Sequence, residues 1–537
     1  MIIFVIGVIC LAITSPINLW RDYDVTALPL NETALSEKTE GGALVREFYF
    51  DGFATIDGRV RAYIKIYENS AAKGVVLYLG DNADNIAAKE LFDHGYTVAV
   101  LDYLGENDSS PRFTLYPKSL AVCNARGITE FDAPDDALTS CWYVWACIAR
   151  KAALLLKKYY DGLKIFALGK GMGGSTVFKL AAVDENITAC ATMLNVLPEV
   201  VGEGDSMILY RAALDPVAYA PITKLPLLMA IASNDEDSSF DDMTELAGNT
   251  ASLRYLRIVE RAFSRGIVHA YSGVIDYFEK CANGAEFLPR PVIKASNSEN
   301  NLYFNITLPE LDGDSSACKK LERVELFTSF YIEDPAYRNW TNADLLGLGG
   351  GEYMARIEVL RNEKPVYGFV NAIYEGGLTQ SSQLLSVIPK SLGIPPSKPM
   401  AWQRLIYDGS MGKDVWTSPA GGTVHSTRGL FDIEGVSSSL NSLATFKTGD
   451  PLYRAPGGSL LQILVSGKAK TINITLLDED EFYSCRVELP SADAWHKFTL
   501  SHLDFKGGNG PLHDWSRMIM LKFTADDEFI ISSVLWV

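Results

Sequence analysis

Leu163–Ser175 reads LKIFALGKGMGGS. A short apolar run, Ile165–Leu168, meets a glycine-dense turn, and a helical pattern over Thr176–Ala182 follows. The reading is strand, tight turn, helix, with Gly171 at the apex and Gly169, Gly173 and Gly174 around it. Working outward, residues 45 to 285 alternate strands with helices. Glu47–Phe53 and Val60–Tyr67 form an antiparallel pair, and Gly74–Leu79, Tyr96–Asp102, Thr188–Leu194, Leu225–Ile231 and Leu253–Ile258 are compact apolar strands. Ser140–Tyr160 reads as a long amphipathic helix. Alternation of this length predicts a mostly parallel α/β sheet covered on both faces.

After Pro289 the helical period fades. Short β-type runs at Leu302–Thr307, Arg323–Ile332, Glu352–Leu360 and Val366–Ala372 predict a β-sandwich. The proline-rich Ile394–Pro399 is a linker, and a second all-β segment follows it. The expected organisation is 1–20 a signal peptide, 21–287 the α/β domain, 288–393 an immunoglobulin-like sandwich and 400–537 a jelly roll.

The chain has 537 residues and a formal charge of −18, which argues against a nucleic acid or an anionic membrane as partner. Met1–Trp20 is uncharged and Ile2–Ile13 almost continuously apolar, the pattern of a secretory h-region, although a basic n-region is missing. The expected location is therefore secreted or cell surface, with no membrane span in the mature chain. Outside that segment seven cysteines lack C-x-x-C spacing, so no zinc site, metal or cofactor is implied. Cys123 with Cys141 is a candidate loop disulfide. Six N-x-S/T sequons occur, Asn339 among them.

The glycine turn, with Leu19–Pro29 (LWRDYDVTALP), Asp93–Tyr103 (DHGYTVAVLDY) and Thr139–Arg150 (TSCWYVWACIAR), resembles the α/β-hydrolase family of acetyl xylan esterases and dienelactone hydrolases. That family holds a serine at the apex of a G-x-S-x-G elbow, with a histidine as base and a carboxylate that orients it. The resemblance places the nucleophile at Gly171, which has no side chain, and the carboxylate at Asp235. The histidine position falls in Ala262–Gly266 (AFSRG), so His269 is the displaced candidate base. Amides of Gly80 and Met172 are the implied oxyanion donors, with Asp81 opposing a developing negative charge there.

Other readings compete for the same residues. Gly169, Gly171 and Gly174 match G-x-G-x-x-G, but no acid follows the next strand until Glu199, so dinucleotide binding is weakly supported. Ser175 and Ser264 are alternative nucleophiles. The acidic run Asp235–Asp242 lacks the glycine and glutamate of a calcium loop and reads as solvated. Ala494–Phe505 and Phe529–Trp536 resemble galactose-binding-like jelly rolls, which stack sugar rings on aromatic faces. Trp402, Trp416, Tyr453, Trp495 and Trp515 are candidate platforms. Trp416 and Tyr453, in polar surroundings, are preferred, and core packing is expected for Trp495 and Trp536. The leading expectation is a catalytically impaired esterase relative that binds a glycan. The alternatives are an active ester hydrolase with a relocated site and a structural adhesion module at the cell surface.

Overall fold

A computed structural model of the chain describes residues 14–80, 85–106, 112–194, 196–264, 271–309, 320–396, 402–478 and 481–537. Among them, nine strands build the first sheet. They are β1 (Thr33–Glu40), β2 (Ala43–Thr55), β3 (Gly58–Glu68), β4 (Val75–Leu79), β5 (Thr97–Asp102), β6 (Ile165–Lys170), β7 (Ala189–Met193), β8 (Leu227–Ala232) and β9 (Leu253–Val259). Their order is β1-β2-β3-β5-β4-β6-β7-β8-β9. β1 to β3 are antiparallel hairpins, whereas β4 pairs parallel with both β5 and β6, and β6 parallel with β7. The parallel strands are apolar on both faces: Val75–Leu79 and Ala189–Met193 are buried at every residue. That is the signature of a sheet covered by helices on both sides.

The helix Cys141–Tyr159 departs from the amphipathic expectation. Every residue from Cys141 to Ala153 is buried, Arg150 and Lys151 included. Arg150 reaches Asp184 at 3.3 Å and lies over the rings of Trp20 and Tyr23. Lys151 Nζ donates to the carbonyls of Val25 and Leu28. The segment 19–29 thus covers the face that the two cations would otherwise turn to water; its carbonyls satisfy Lys151 and its rings lie over Arg150, whose carboxylate partner is Asp184. Cys123 and Cys141, a possible disulfide by sequence, are both buried free thiols. No helix among the described residues is long and apolar enough to cross a membrane.

Beyond Arg290 all sheets are antiparallel. Val292–Ser298, Asn301–Thr307, Glu352–Ile357 and Leu346–Gly349 form a four-stranded sheet. A five-stranded sheet contains Thr341–Ala343, Leu321–Phe330, Val366–Tyr374 and Leu378–Ser381, with Leu385–Val387 beside Val366–Tyr374. Leu302, Phe304, Ile306, Leu326, Val366 and Val370 share one core, as expected of a β-sandwich. Two six-stranded sheets between Leu405 and Trp536 enclose another core, built on Trp416, Trp515, Phe523 and Trp536. By contact the chain divides into two compact units. One is Met1–Met229 with Leu246–Arg254 and Val274–Ala285; the other is Ala230–Glu245 with Tyr255–Gly273 and Glu286–Val537.

Candidate functional site

The turn after β6 sits where the sequence places it. The helix Met172–Val183 starts directly after Gly171, whose backbone is at φ 55°, ψ −124°. This is a conformation that side chains other than glycine's adopt only with strain. Gly171 N–H donates to Met193 O, and Gly171 O accepts from the amides of Gly174 and Ser175, so the turn is fixed at both ends. The flanking glycines serve packing. A Cβ on Gly173 would overlap the carbonyl of Leu79, one on Gly169 would overlap the carbonyl of Gly173, and one on Gly174 would lie 2.9 Å from Val196 Cγ1. β4 and β6 are in register Leu79↔Gly169, which brings Gly80 to the same carboxyl edge of the sheet as the apex. Met172, at the first position of its helix, has no intrahelical acceptor for its amide. The nine-stranded, mostly parallel sheet and this strained strand–turn–helix make the N-terminal part α/β-hydrolase-like. The apex itself supplies no nucleophile.

Ser175 is not a free substitute. It is fully buried, and its Oγ accepts a 2.9 Å hydrogen bond from Lys179 Nζ one turn on. Lys179 is 1% exposed. Its ammonium lies 5.5 Å from the Trp142 ring centroid and 5.8 Å from that of Tyr219. Burial pushes its pKa down to about 7, opposed by the charge of Asp215. Sequence reading missed this lysine, although a single cation in the apolar helical stretch TVFKLAAV is a legible signal.

In the second unit Asp235 is 2% exposed. Its carboxylate accepts from Asp237 N–H at 3.0 Å and Ser238 Oγ at 3.1 Å. Burial raises its pKa to about 6 despite these bonds. The run from Asp235 to Asp242 is solvated only in part: Glu236, Asp237 and Asp242 are exposed, whereas Asp235 and Phe240 are buried. Asn234 Nδ2 donates to the carbonyls of Ala336 and Arg338, and Trp340 Nε1 to that of Ser233. Fully buried Arg338 forks onto Asp241, with Nη2 to Oδ2 at 2.7 Å, and stacks 3.5 Å from the Tyr367 ring centroid. Residues 334–340 thus cap the loop that carries the candidate acid. Ser264 donates from Oγ to Glu236 Oε1 at 3.0 Å and from N–H to Oε2 at 3.2 Å, so its partner is Glu236 rather than Asp235. His269, Arg265 and Asp81 lie outside the described residues. Exposed His94 bonds Glu90 O through Nδ1 and belongs to no such cluster. Asn339, the sequon residue, is buried.

The aromatic platforms rearrange against expectation. Trp416 is 4% exposed and packs edge-on to Tyr407 and against Phe523, so neither ring face can stack on a sugar. Tyr453 is half-buried, with Lys447 Nζ 4.2 Å from its ring centroid. Trp515 and Trp536 are core residues, as is Trp416. Trp495, expected inside, is only half-buried and stands outside that core. Its Nε1 donates to Leu430 O at 2.9 Å, at the base of a turn that presents Phe431, 86% exposed, at φ 58°. A polar-looking context misled the sequence reading because Trp416 is closed over by Phe523, more than a hundred residues on, as well as by nearby Tyr407.

No family model matches the chain, and no curated protein matches it. Among solved structures it is similar to a cold-adapted esterase from an Arctic intertidal metagenomic library, with 14% identity over 47% of this chain and 99% of that one, at a TM-score of 0.32. It is also similar to acetyl xylan esterase 1 from Thermoanaerobacterium sp., with 11% identity over 48% and 89% and a TM-score of 0.36. A third is the acetyl xylan esterase from Paenibacillus sp. R4, with 13% identity over 48% and 90% and a TM-score of 0.35. The strand order and the elbow carry the fold assignment independently of these likenesses.

Proposed function

We propose that this chain is a secreted or cell-surface, catalytically silent relative of carbohydrate esterases that retains glycan binding. One observation carries the silence: the apex of the elbow keeps its strained geometry but is occupied by Gly171. The buried, capped surroundings of Asp235 and the engagement of Ser175 with Lys179 support the same reading. Glycan binding is assigned to the C-terminal sandwich, where Trp495 and Phe431 offer flat apolar faces that suit a pyranose ring. The uncharged apolar start of the chain supports export.

Purified protein is assayed on a short acyl ester and on acetylated xylan, beside Gly171→Ser and His269→Ala. The unaltered chain is expected to be inactive. Activity that His269→Ala abolishes would overturn the reading in favour of a relocated ester hydrolase. Glycan arrays then compare the unaltered chain with Trp495→Ala and Trp416→Phe. Loss of signal in the first alone supports the platform; no signal with any glycan sinks glycan binding and leaves a structural role.

A further inference from the structure

Arg290 lies between Pro289 and Pro291, immediately before the first strand of the four-stranded sheet. Two prolines fix the backbone on either side of it. Leu288, two residues upstream, is buried, and its carbonyl accepts a 2.8 Å hydrogen bond from Gln380 Nε2. The arginine is therefore held in place by its chain. Among the described residues nothing accepts from its guanidinium Nη1, which is buried. Burial alone disfavours its charge, and no carboxylate among the described residues offsets it. The buried cations Arg150, Arg338 and Lys151 described above, by contrast, have partners of opposite charge or backbone carbonyls: Asp184, Asp241 and two backbone oxygens, respectively.

The same arginine lines a cavity of about 490 Å³, with Val292, Ile293, Gln383, Leu384 and Leu385 around it. That volume is in the range of small-ligand sites, and the wall is about evenly polar and apolar, with aliphatic side chains beside one amide and one cation. We infer that this cavity binds a monocarboxylate, with the Arg290 guanidinium as the fork that receives the carboxylate and the aliphatic wall covering the body of the ligand. The class follows from charge and shape. One guanidinium neutralises one negative charge, and among the described residues no second cation lines the cavity, which disfavours phosphate dianions in a chain of charge −18. The planar fork matches a carboxylate bidentately. The carboxylate can come from a uronic-acid unit of a polysaccharide or from a free organic acid. The inference rests on Arg290 and not on the reading of the elbow, so either can fail alone.

The full chain is titrated by calorimetry with glucuronate, an oligogalacturonate, benzoate, glucose and inorganic phosphate at matched ionic strength. At least one carboxylate is expected to saturate a single site below about 10 mM, with glucose and phosphate at least about tenfold weaker. Arg290→Gln and, separately, Leu385→Trp, which fills the cavity while keeping the cation, should each weaken that carboxylate by about tenfold or more. Preference for oligogalacturonate points to a polysaccharide source, and equal binding of benzoate to a free acid. Absence of any carboxylate binding, unchanged binding in Arg290→Gln, or tighter binding of phosphate would overturn the proposal. A ligand-free thermal midpoint separates site from scaffold. Arg290→Gln should melt no lower than the unaltered chain, because burial disfavours the lost cation and its Nη1 has no acceptor among the described residues. A clear fall would assign Arg290 a structural role instead. Should Arg290→Gln not fold, Leu385→Trp alone decides.

Discussion

Replacing Lys179 by methionine should stabilise this protein, and the gain should depend on pH in a defined window. The side chain is 1% exposed, among Trp142, Tyr219 and Ser175, and burial brings its pKa from the ordinary 10.5 to about 7. Below pH 7 the ammonium is charged in both the folded and unfolded states, and the folded state bears the full cost of holding it. At about 1.4 kcal/mol per tenfold change in proton affinity, that cost is roughly 5 kcal/mol. Between pH 7 and 10.5 the unfolded chain binds a proton that the folded chain does not, so stability of the unaltered protein rises with pH. Methionine has similar length, carries no charge and leaves the Ser175 hydroxyl free to bond back along its own helix. Urea unfolding followed by tryptophan fluorescence, at pH 6, 7, 8.5 and 10, gives the difference between Lys179→Met and the unaltered chain. Titrating groups that do not interact with Lys179 cancel in that difference; Asp215, whose charge acts on it, does not. The variant should be more stable by several kcal/mol at pH 6 and 7, with the advantage shrinking steadily toward pH 10. A variant less stable at every pH, or a difference flat across the window, would refute a desolvated lysine and point to a well-compensated cation.

Asp235 gives the opposite slope. Its folded pKa of about 6 stands above the ordinary 3.8, so ionisation costs the folded state stability as pH rises from about 4 through 6; Asp235→Asn should gain about 1–3 kcal/mol at pH 7.5 and nothing at pH 4, read by the same denaturation. Gly173→Ala drives a Cβ into the Leu79 carbonyl, a backbone atom that cannot swing aside, and should cost about 3 kcal/mol by thermal unfolding. Arg338→Ala removes the buried partner of Asp241 together with the donors to Ile332 O and Glu333 O and should cost about 3–5 kcal/mol. Asp241→Asn, at the half-exposed end of that pair, should cost about 1–2 kcal/mol.

Local chemistry was legible in the sequence; long-range partnership was not. The strand–turn–helix at Gly171 could be read because its glycines act on neighbours within a few residues or on the adjacent strand. The hairpin β2–β3 and the four β-runs after Pro289 could be read from composition and period alone. The helix Cys141–Tyr159 looked amphipathic because Arg150 and Lys151 are charged. What buries them is the segment 19–29, more than a hundred residues earlier. Asp235–Asp242 is exposed at Glu236, Asp237 and Asp242, as its composition suggests, but nothing in those eight residues announces that Asp235 will be buried or that Arg338, 97 positions on, will dock on Asp241. Trp416 and Trp495 exchanged places for the same reason: burial is decided by which strands close over a ring.

The four glycines of the turn separate scaffold from chemistry. At 169, 173 and 174 a side chain of any kind collides with backbone or with a packed neighbour, so glycine there is required by the way the helix abuts β4 and β6. At 171 the torsion angles themselves favour glycine, and a serine would adopt them at a strain of about 1–2 kcal/mol. Glycine at 171 removes that strain and the nucleophile together. Under the proposed silent reading there is no reason to bear the strained torsion, whereas the three packing glycines stay because the sheet depends on them. Retention of the elbow therefore speaks for the sheet and not for catalysis. Gly171→Ser should lower stability slightly, by about 1–2 kcal/mol in urea unfolding, while Gly173→Ala lowers it more. If Gly171→Ser were the more damaging of the two, the apex would be a packing site after all, and the division between scaffold and chemistry drawn at residue 171 would fall.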